Sequence, residues 1–526
     1  MKVLLLLIFL SPIISFSQQL FLPLNHNVNI DINKQVNYLN NNVHTSFKPV
    51  LSSYLNNYFD SDSIIYDYQR DSIFLSKKKH TWIWRKLRTE DLILIDTADF
   101  FLSINPMFNL EYGRNTINDS LLSVNTRGIA VKGNIGKTLS FYSDFYENQA
   151  FFPDYVHQYI NEHAVIPGQG RNRGFKGNGH DYAYASGYLS FTPKKYLNFR
   201  IGHGKNFIGE GYRSLLLSDF SFNYPFVRTT ITLNKFQYTS MFTAHQEIKS
   251  ADSRLLAYQR KHGSFNYLSW LINKRIQIGL FEGIIWKTTY SNSNNNFDIN
   301  YFNPAIMVRP LQYGLSDENN VVLGLNAEIK IINSIQLYGQ YMLDDVINDY
   351  TGEKNGYQIG IKFFEIFKLK NLYLQAEYNS VSPYTYGHVD HFQNYSNANE
   401  PLAHPLGANF KEVIGIMHYK INDFFIDFKY IKSNINTSLN NYHCGSNIFL
   451  SDTLACELIQ TNDIKYLKST LTYISLRLGF LINPRNNMHL FAGFVNRKFI
   501  NNSITTETNY IFLGIRASLN NHYYDF

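Results

Sequence analysis

The sequence predicts an all-β protein, an outer-membrane-type barrel of about 18 antiparallel strands behind a small, partly helical N-terminal region. Three observations predict it. Apolar and polar residues alternate with a period of two along many segments. Short turns and long polar connections alternate along the chain. The chain begins with an export-type segment, and no later apolar run is long enough for a spanning helix.

Taken in chain order, Met1-Lys2 precedes the aliphatic run Val3 to Leu10, then Pro12 and Ser15-Phe16-Ser17. This is a charged start, an apolar stretch and a small-x-small cleavage site, so residues 1–17 read as a signal peptide cut between Ser17 and Gln18. No cysteine follows, which excludes a lipoprotein signal. An exported chain without spanning helices stays soluble or crosses a membrane as a closed barrel. Residues 18–98 read as a periplasmic, partly helical region, with loosely helical spacing from Lys48 to Tyr58, a basic patch at Lys77-Lys78-Lys79-His80, then Trp82, Trp84 and Arg85-Lys86. Residues 99–526 read as the barrel.

Composition agrees. The 526 residues include 41 Phe, 39 Tyr and 4 Trp, charged residues are only 17%, and mean hydropathy is −0.24. A polytopic helical membrane protein is far more apolar, and a disordered chain lacks this aromatic load. Net charge is +7, and Lys77–Lys79 is the one dense basic run, so nucleic acid is not an expected partner. Cys444 and Cys456 are the two cysteines. They could pair across a short loop in an oxidising compartment or stay apart.

Within the barrel region, Leu372, Leu374, Ala376 and Tyr378 share one strand face, and Tyr373, Gln375, Glu377 and Asn379 the other. Ile335 to Asp344 and Ile511 to Leu519 repeat the pattern. Lipid outside and polar groups inside suit such strands, and so does a sandwich with one wet face. The connections separate the two. Very short turns fall at Ile135–Lys137, Pro193–Lys195, Leu233–Lys235, Ile272–Lys274, Ile332–Ser334, Lys420–Asn422 and Asn483–Arg485, with a slightly longer one near Phe364–Lys368. Long polar connections lie between them, at Asn148–Asp181, Lys205–Pro225, Ser250–His262, Thr288–Asn319, Asp344–Gly356, Ser380–Asn409, Ser433–Lys468 and Arg497–Asn509, with a shorter one at Gly113–Asn125. Eight hairpins plus an opening and a closing strand make about 18 strands of about ten residues each. The terminal Tyr523-Tyr524-Asp525-Phe526 after an alternating strand resembles the sorting signal of outer-membrane barrels, with the barrel-assembly machinery as partner during biogenesis.

The most distinctive segment runs from Gly202-His203-Gly204-Lys205-Asn206 through Tyr212-Arg213-Ser214 to Asp219. It is not a phosphate loop, because Asn206 stands where Ser or Thr must follow the lysine. It either presents Lys205, Asn206, Tyr212, Arg213 and Asp219 to a ligand at the external mouth, or plugs and braces the barrel. Tyr301-Phe302-Asn303-Pro304 with Arg309-Pro310 reads as an inserted loop whose Arg309 faces an anion or pairs with a wall carboxylate. Asn148–Asp181 holds a short helix to about His163, and Arg171 and Arg173, which could contact acidic saccharide or stand solvated. His388, Asp390 and His391 lack a third ligand residue, the Asp344-Asp345-Asp349 cluster reads as loop, and no histidine has a Gly-x-Ser-x-Gly partner. No catalytic residue, metal or cofactor is expected, and the chain is read as a non-enzyme.

The segments Glu147–Ala150, Pro167–Gly170, Gly202–Gly209 with Gly211–Asp219, Asn303-Pro304 with Arg309-Pro310, and Tyr523–Phe526 resemble the capsule-assembly Wzi-like outer-membrane proteins of the Bacteroidetes type, over most of the chain from about Lys86. That resemblance implies an 18-stranded barrel with periplasmic helical decoration and a role in binding, assembling or anchoring capsular or other surface polysaccharide. It also implies, as alternatives, a gliding-motility or adhesion component acting through envelope proteins, and beside these stands a diffusion or uptake pore. The expected partners are outer-membrane lipid and surface polysaccharide.

Overall fold

The computed structural model describes residues 19–66, 71, 73–74, 80–248, 260–287, 306, 319–344, 352–438, 444–454, 466–502 and 504–526. The Ser17–Gln18 boundary, Lys77–Lys79, Arg309 and Cys456 lie outside them. Eighteen antiparallel strands close into one barrel. They are β1 (Phe100–Asn115), β2 (Leu121–Ile135), β3 (Leu139–Phe151), β4 (Gly179–Lys194), β5 (Leu197–Gly204) and β6 (Tyr224–Leu233). Next come β7 (Phe236–Gln246), β8 (Arg260–Leu271), β9 (Ile276–Lys287), β10 (Asn320–Ile332), β11 (Ile335–Asp344) and β12 (Lys354–Phe364). The wall is completed by β13 (Leu372–Val381), β14 (Phe410–Ile421), β15 (Phe424–Ser438), β16 (Tyr466–Asn483), β17 (Met488–Asn501) and β18 (Ile504–Ala517). Each pairs with its sequence neighbours, and β18 closes on β1 from Tyr510↔Asn115 to Ala517↔Phe108. The sheet thus closes on itself, the condition for it to cross a bilayer.

Period-two alternation sorts the faces as the sequence predicts. Glu377 and Asn379 of β13 turn inward and are buried, while Leu374, Ala376 and Tyr378 turn outward. Ile511 and Leu513 of β18, Ile359 of β12 and Leu478 of β16 are exposed on the outer surface. The short turns are tight because single residues take the left-handed conformation there, Gly136, Asn234 and Asn422 among them.

Two expectations are corrected. Arg497–Asn509 is not a long connection, because β17 and β18 pair onward to Asn501↔Ile504. This stretch stands beyond the apolar band, where neither face need be apolar, so its composition imitates a loop. The strands also run from 8 residues in β5 to 18 in β16, and several project past the membrane.

The N-terminal region carries helices α1 (His26–Asn37), α2 (Ser52–Leu55), α3 (Ser61–Tyr66) and α4 (Trp82–Arg88). Asn25 caps α1, its Oδ1 accepting from Val28 N–H at 3.2 Å. Leu22, Ile32, Val36, Val43, Val50 and Leu55 form its own small core. The region enters the barrel at the short-turn end. Asn37 Nδ2 donates to Asn333 O in the β10–β11 turn (2.7 Å), and deeper in, a His44 ring nitrogen bonds Ser269 Oγ of β8 (2.8 Å). Ile93–Asp96 then pairs with Phe101–Ile104 of β1, on the edge that β18 leaves uncovered below Phe108. This short strand covers that edge of β1, and the tail Ser518–Phe526 turns inward.

Candidate functional site

The loop Lys205–Asn223 between β5 and β6 dives into the lumen. Leu215, Leu216 and Leu217 lead it, each fully buried against inward side chains such as Met241, Phe265, Phe281, Val322 and Met342. Three consecutive leucines on an aqueous loop would expose several hundred square ångströms of apolar surface; inside, each contributes roughly 1.5–3 kcal/mol. The wall on the far side, β10–β14, also carries polar side chains on its inner face, and several of these receive the loop backbone. Gln340 Nε2 donates to Ile208 O (2.9 Å), and its Oε1 accepts from Leu215 N–H (2.8 Å). Gln358 Nε2 donates to Arg213 O (3.0 Å). Glu377 accepts from Tyr212 N–H (2.7 Å) and Arg213 N–H (3.1 Å). A buried backbone without such partners would be costly, so each wall amide or carboxylate specifies where the loop sits.

Glycine makes that approach possible at two positions. Gly209 has φ +127°, a conformation other residues rarely adopt. A Cβ on Gly211 would lie 2.6 Å from Glu377 Oε2 and 2.8 Å from Gln358 Oε1.

The tail Ser518–Phe526 locks the loop from the other side. Arg213 Nη2 donates to Asp525 Oδ1 (3.0 Å) and to Asp525 O (3.1 Å), and the guanidinium lies 3.8 Å from Glu412. Lys429 of β15 donates to Asp525 Oδ2 (2.7 Å), as does Tyr212 O–H (2.5 Å). Burial opposes ionisation of Asp525, yet Arg213 and Lys429 outweigh it and hold its carboxyl well below the usual range. Tyr523 O–H donates to Asp219 Oδ1 (2.7 Å), and Lys205 Nζ to Asp219 O (3.0 Å). Arg497 Nε reaches Phe526 O (3.0 Å), and the Phe526 ring packs on Tyr159 and Phe220. The terminal aromatic therefore lies in the lumen, not at the end of a wall strand as the sorting-signal comparison supposes.

Of the residues singled out in the sequence, Lys205, Asn206, Tyr212, Arg213 and Asp219 are thus brought together, but inside the barrel. All but half-buried Lys205 are fully buried. Asn206 Oδ1 accepts from Arg228 Nη1 (3.2 Å). Their partners are other parts of this chain, so the arrangement fixes the loop within the lumen. Arg171 and Arg173 lie elsewhere, exposed at the long-loop end, Arg171 opposite Val165 and Arg173 on the adjoining hairpin where Arg173–Phe175 pairs with Gly179–Asp181. Helix α5 (Asp154–His163), the short helix expected there, packs Val156 and Ile160 beneath them. Phe151 and Phe175 face each other at 6.1 Å, and Lys176 Nζ lies 5.1 Å from the Phe175 ring centre. Cys444 is buried and disulfide-bonded. Asp390 pairs with Lys287, and His388 Nδ1 accepts from Asp390 N–H (3.1 Å).

Sequence reasoning missed a second lumenal device. Arg200 of β5 and Arg228 of β6 stand directly opposite in register, both buried. Neither has an acidic ion-pair partner among the described residues. Aromatic rings surround them instead. Arg200 lies 4.2 Å from the Tyr188 ring and 4.4 Å from Phe21, and Arg228 lies 5.1 Å from both Phe21 and Phe47. Phe21 and Phe47 come from the N-terminal region, so two like charges hold that region in the lumen by cation–π attraction. The signal was the pair of Arg residues on inward positions of adjacent strands. Beside it a cavity of about 620 Å³ runs between the N-terminal region, the tail and the inner wall, with Lys132, Tyr188, Arg200, Lys429, Arg477 and Arg516 on its surface.

No protein-family model matches the chain, and no curated protein matches it in sequence. Solved structures do. Wzi, an outer-membrane protein involved in group 1 capsule assembly in Escherichia coli and described as a carbohydrate-binding β-barrel, superposes with a TM-score of 0.55 at 12% identity, over 95% of this chain and 100% of that one. OprD of Pseudomonas aeruginosa superposes with a TM-score of 0.42 at 10% identity, over 79% of this chain and 94% of that one. OccAB2 of Acinetobacter baumannii gives 0.43 at 12% identity, over 79% and 97%. The chain has the outer-membrane barrel fold of Wzi.

Proposed function

We propose that the protein is a plugged outer-membrane barrel that holds acidic surface polysaccharide at its external face, a non-catalytic binding and anchoring body of the capsule-assembly kind. The observation that carries this reading is the occupied lumen. Loop Lys205–Asn223 crosses from β5 and β6 to β10–β14 and is hydrogen-bonded along the way, and Phe47–Lys48 of the N-terminal region and the tail Ser518–Phe526 meet it there. A loop, a tail and an N-terminal region that occupy so much of the lumen favour the outer loops as the surface offered to ligands outside the cell. The hairpin with Arg171, Arg173 and Lys176 beside the Phe151–Phe175 ring pair has suitable chemistry. Guanidinium forks match carboxylates, and aromatic faces accept the C–H faces of sugars. Likeness in fold to a carbohydrate-binding barrel supports the same reading.

The test is binding of purified full-length protein to acidic exopolysaccharide from its own cells, with Arg171→Ala/Arg173→Ala beside it, and the surface coat of a deletion strain. Binding that weakens in the double variant, with polysaccharide shed by the deletion strain, is expected. No binding and an unchanged coat would refute it.

A further inference from the structure

Outside the barrel wall, one stretch leaves a run of long apolar side chains uncovered. On α4, Trp82 is 59% exposed, Ile83 63% and Trp84 54%, and Leu87 joins them. Leu92, Ile93, Leu94 and Ile95 follow, exposed as well. A cluster of this kind on a protein surface marks something that covers it.

Its position identifies the cover. Asn483 Nδ2, at the end of β16, donates to Lys86 O and Glu90 O (3.0 Å each) and fixes α4 to the short-turn rim. Arg88 pairs with Asp423 of the β14–β15 turn (3.1 Å), and its guanidinium lies 5.6 Å from the ring of Phe480. Phe480 lies on the outward face of β16 with Leu476 and Leu478, against exposed Phe424 (4.9 Å). The helix therefore adjoins the barrel's lipid-facing surface. Further on, Ile93 pairs with Ile104 and Ile95 with Leu102, so these residues share the outer face of β1. The apolar band of the wall thus continues without a break into a segment outside the barrel strands. Tryptophan prefers the depth where acyl chains give way to headgroups, and Arg85, Lys86 and Arg88 can extend toward the headgroups from the same helix.

We propose that Trp82–Asp96 is an interfacial anchor, seated in the periplasmic leaflet of the outer membrane, with phospholipid as its occupant. It extends the membrane contact of the barrel to the N-terminal region and fixes where that region leaves the lumen. The proposal does not depend on any polysaccharide role.

Full-length protein in phospholipid nanodiscs tests it by tryptophan quenching. In Trp270→Phe/Trp286→Phe, emission comes from Trp82 and Trp84 alone. Phospholipids brominated high on the acyl chain should quench it at least about twofold, and aqueous iodide should quench it little. As a second route that leaves Trp270 and Trp286 in place, Trp82→Phe/Trp84→Phe should remove the corresponding share of bromolipid quenching seen in the unsubstituted protein. Strong iodide quenching without bromolipid quenching would place the segment in water and overturn the proposal. Quenching by neither would mean that protein covers it, a second copy or another partner, and would overturn it equally.

Discussion

Two connections leave the same end of the barrel from neighbouring strands and take opposite courses. Lys205–Asn223 turns inward and is buried, whereas the hairpin around Arg171 and Arg173 stays in water. Both carry arginine and glycine, so charge and flexibility do not decide. The inward loop has the leucine triplet 215–217, and its Arg213 finds Asp525 and Glu412. The outer hairpin has no apolar run and spaces its cations along a surface strand. Burial of a charged loop requires apolar payload together with counter-charges already on the wall.

The comparison can be broken most sharply at Arg213. Arg213→Ala leaves Asp525 buried without its main counter-charge and is expected to cost about 3–5 kcal/mol. Urea titration in detergent, followed by loss of the gel-mobility difference between folded and heated protein, should show the lowered midpoint. An unchanged midpoint would mean that the loop is not held by this junction. Gly211→Val should come next. Its side chain meets Glu377 and Gln358, and the resulting overpacking is expected to cost about 1–3 kcal/mol and to open the loop to protease in folded barrels.

Acidity probes the plug from two sides. Asp525 has a depressed folded pKa, so its contribution is present above the unfolded carboxylate value and is lost as pH falls through the lower, folded one. Glu400 has the opposite sign. Burial pushes it up to about 8, so its contribution is full below the unfolded value and is lost as pH rises toward and through 8. Its two oxygens accept from Gly168 N–H (2.7 Å) and Phe222 N–H (2.8 Å), joining the α5 connection to the plug loop. Protease nicking near these residues should therefore rise from about pH 5 to 8 and level off above, after correction for the protease's own pH profile. Glu400→Gln should flatten that rise. The smallest effect is expected outside, where Arg171→Ala/Arg173→Ala should leave stability within about 0.5 kcal/mol while lowering the salt-sensitive part of polysaccharide binding.

The wall was legible because each strand answers a local question. Alternation at Leu372–Asn379 and the tight turns around Gly136, Asn234 and Asn422 are written in adjacent residues. Arg497–Asn509 was misread because beyond the bilayer neither face must be apolar. The direction of the Lys205–Asn223 loop was not legible, since Arg213 meets its partner Asp525 across 312 positions of chain. Nor was the grip of Arg200 and Arg228 on Phe21 and Phe47, which only the closed barrel brings together. Helix α1 was hidden by its asparagines, and its burial rests on little more than Ile32 and Val36.

The central claim, that the barrel is closed by its own chain and acts as a binding body, is tested most directly by conductance in planar lipid bilayers. Full-length protein should insert without a steady ion current, and replacement of Gly209–Asp219 by a short Gly-Ser linker should produce one. A stable open current from the unsubstituted protein would contradict the account.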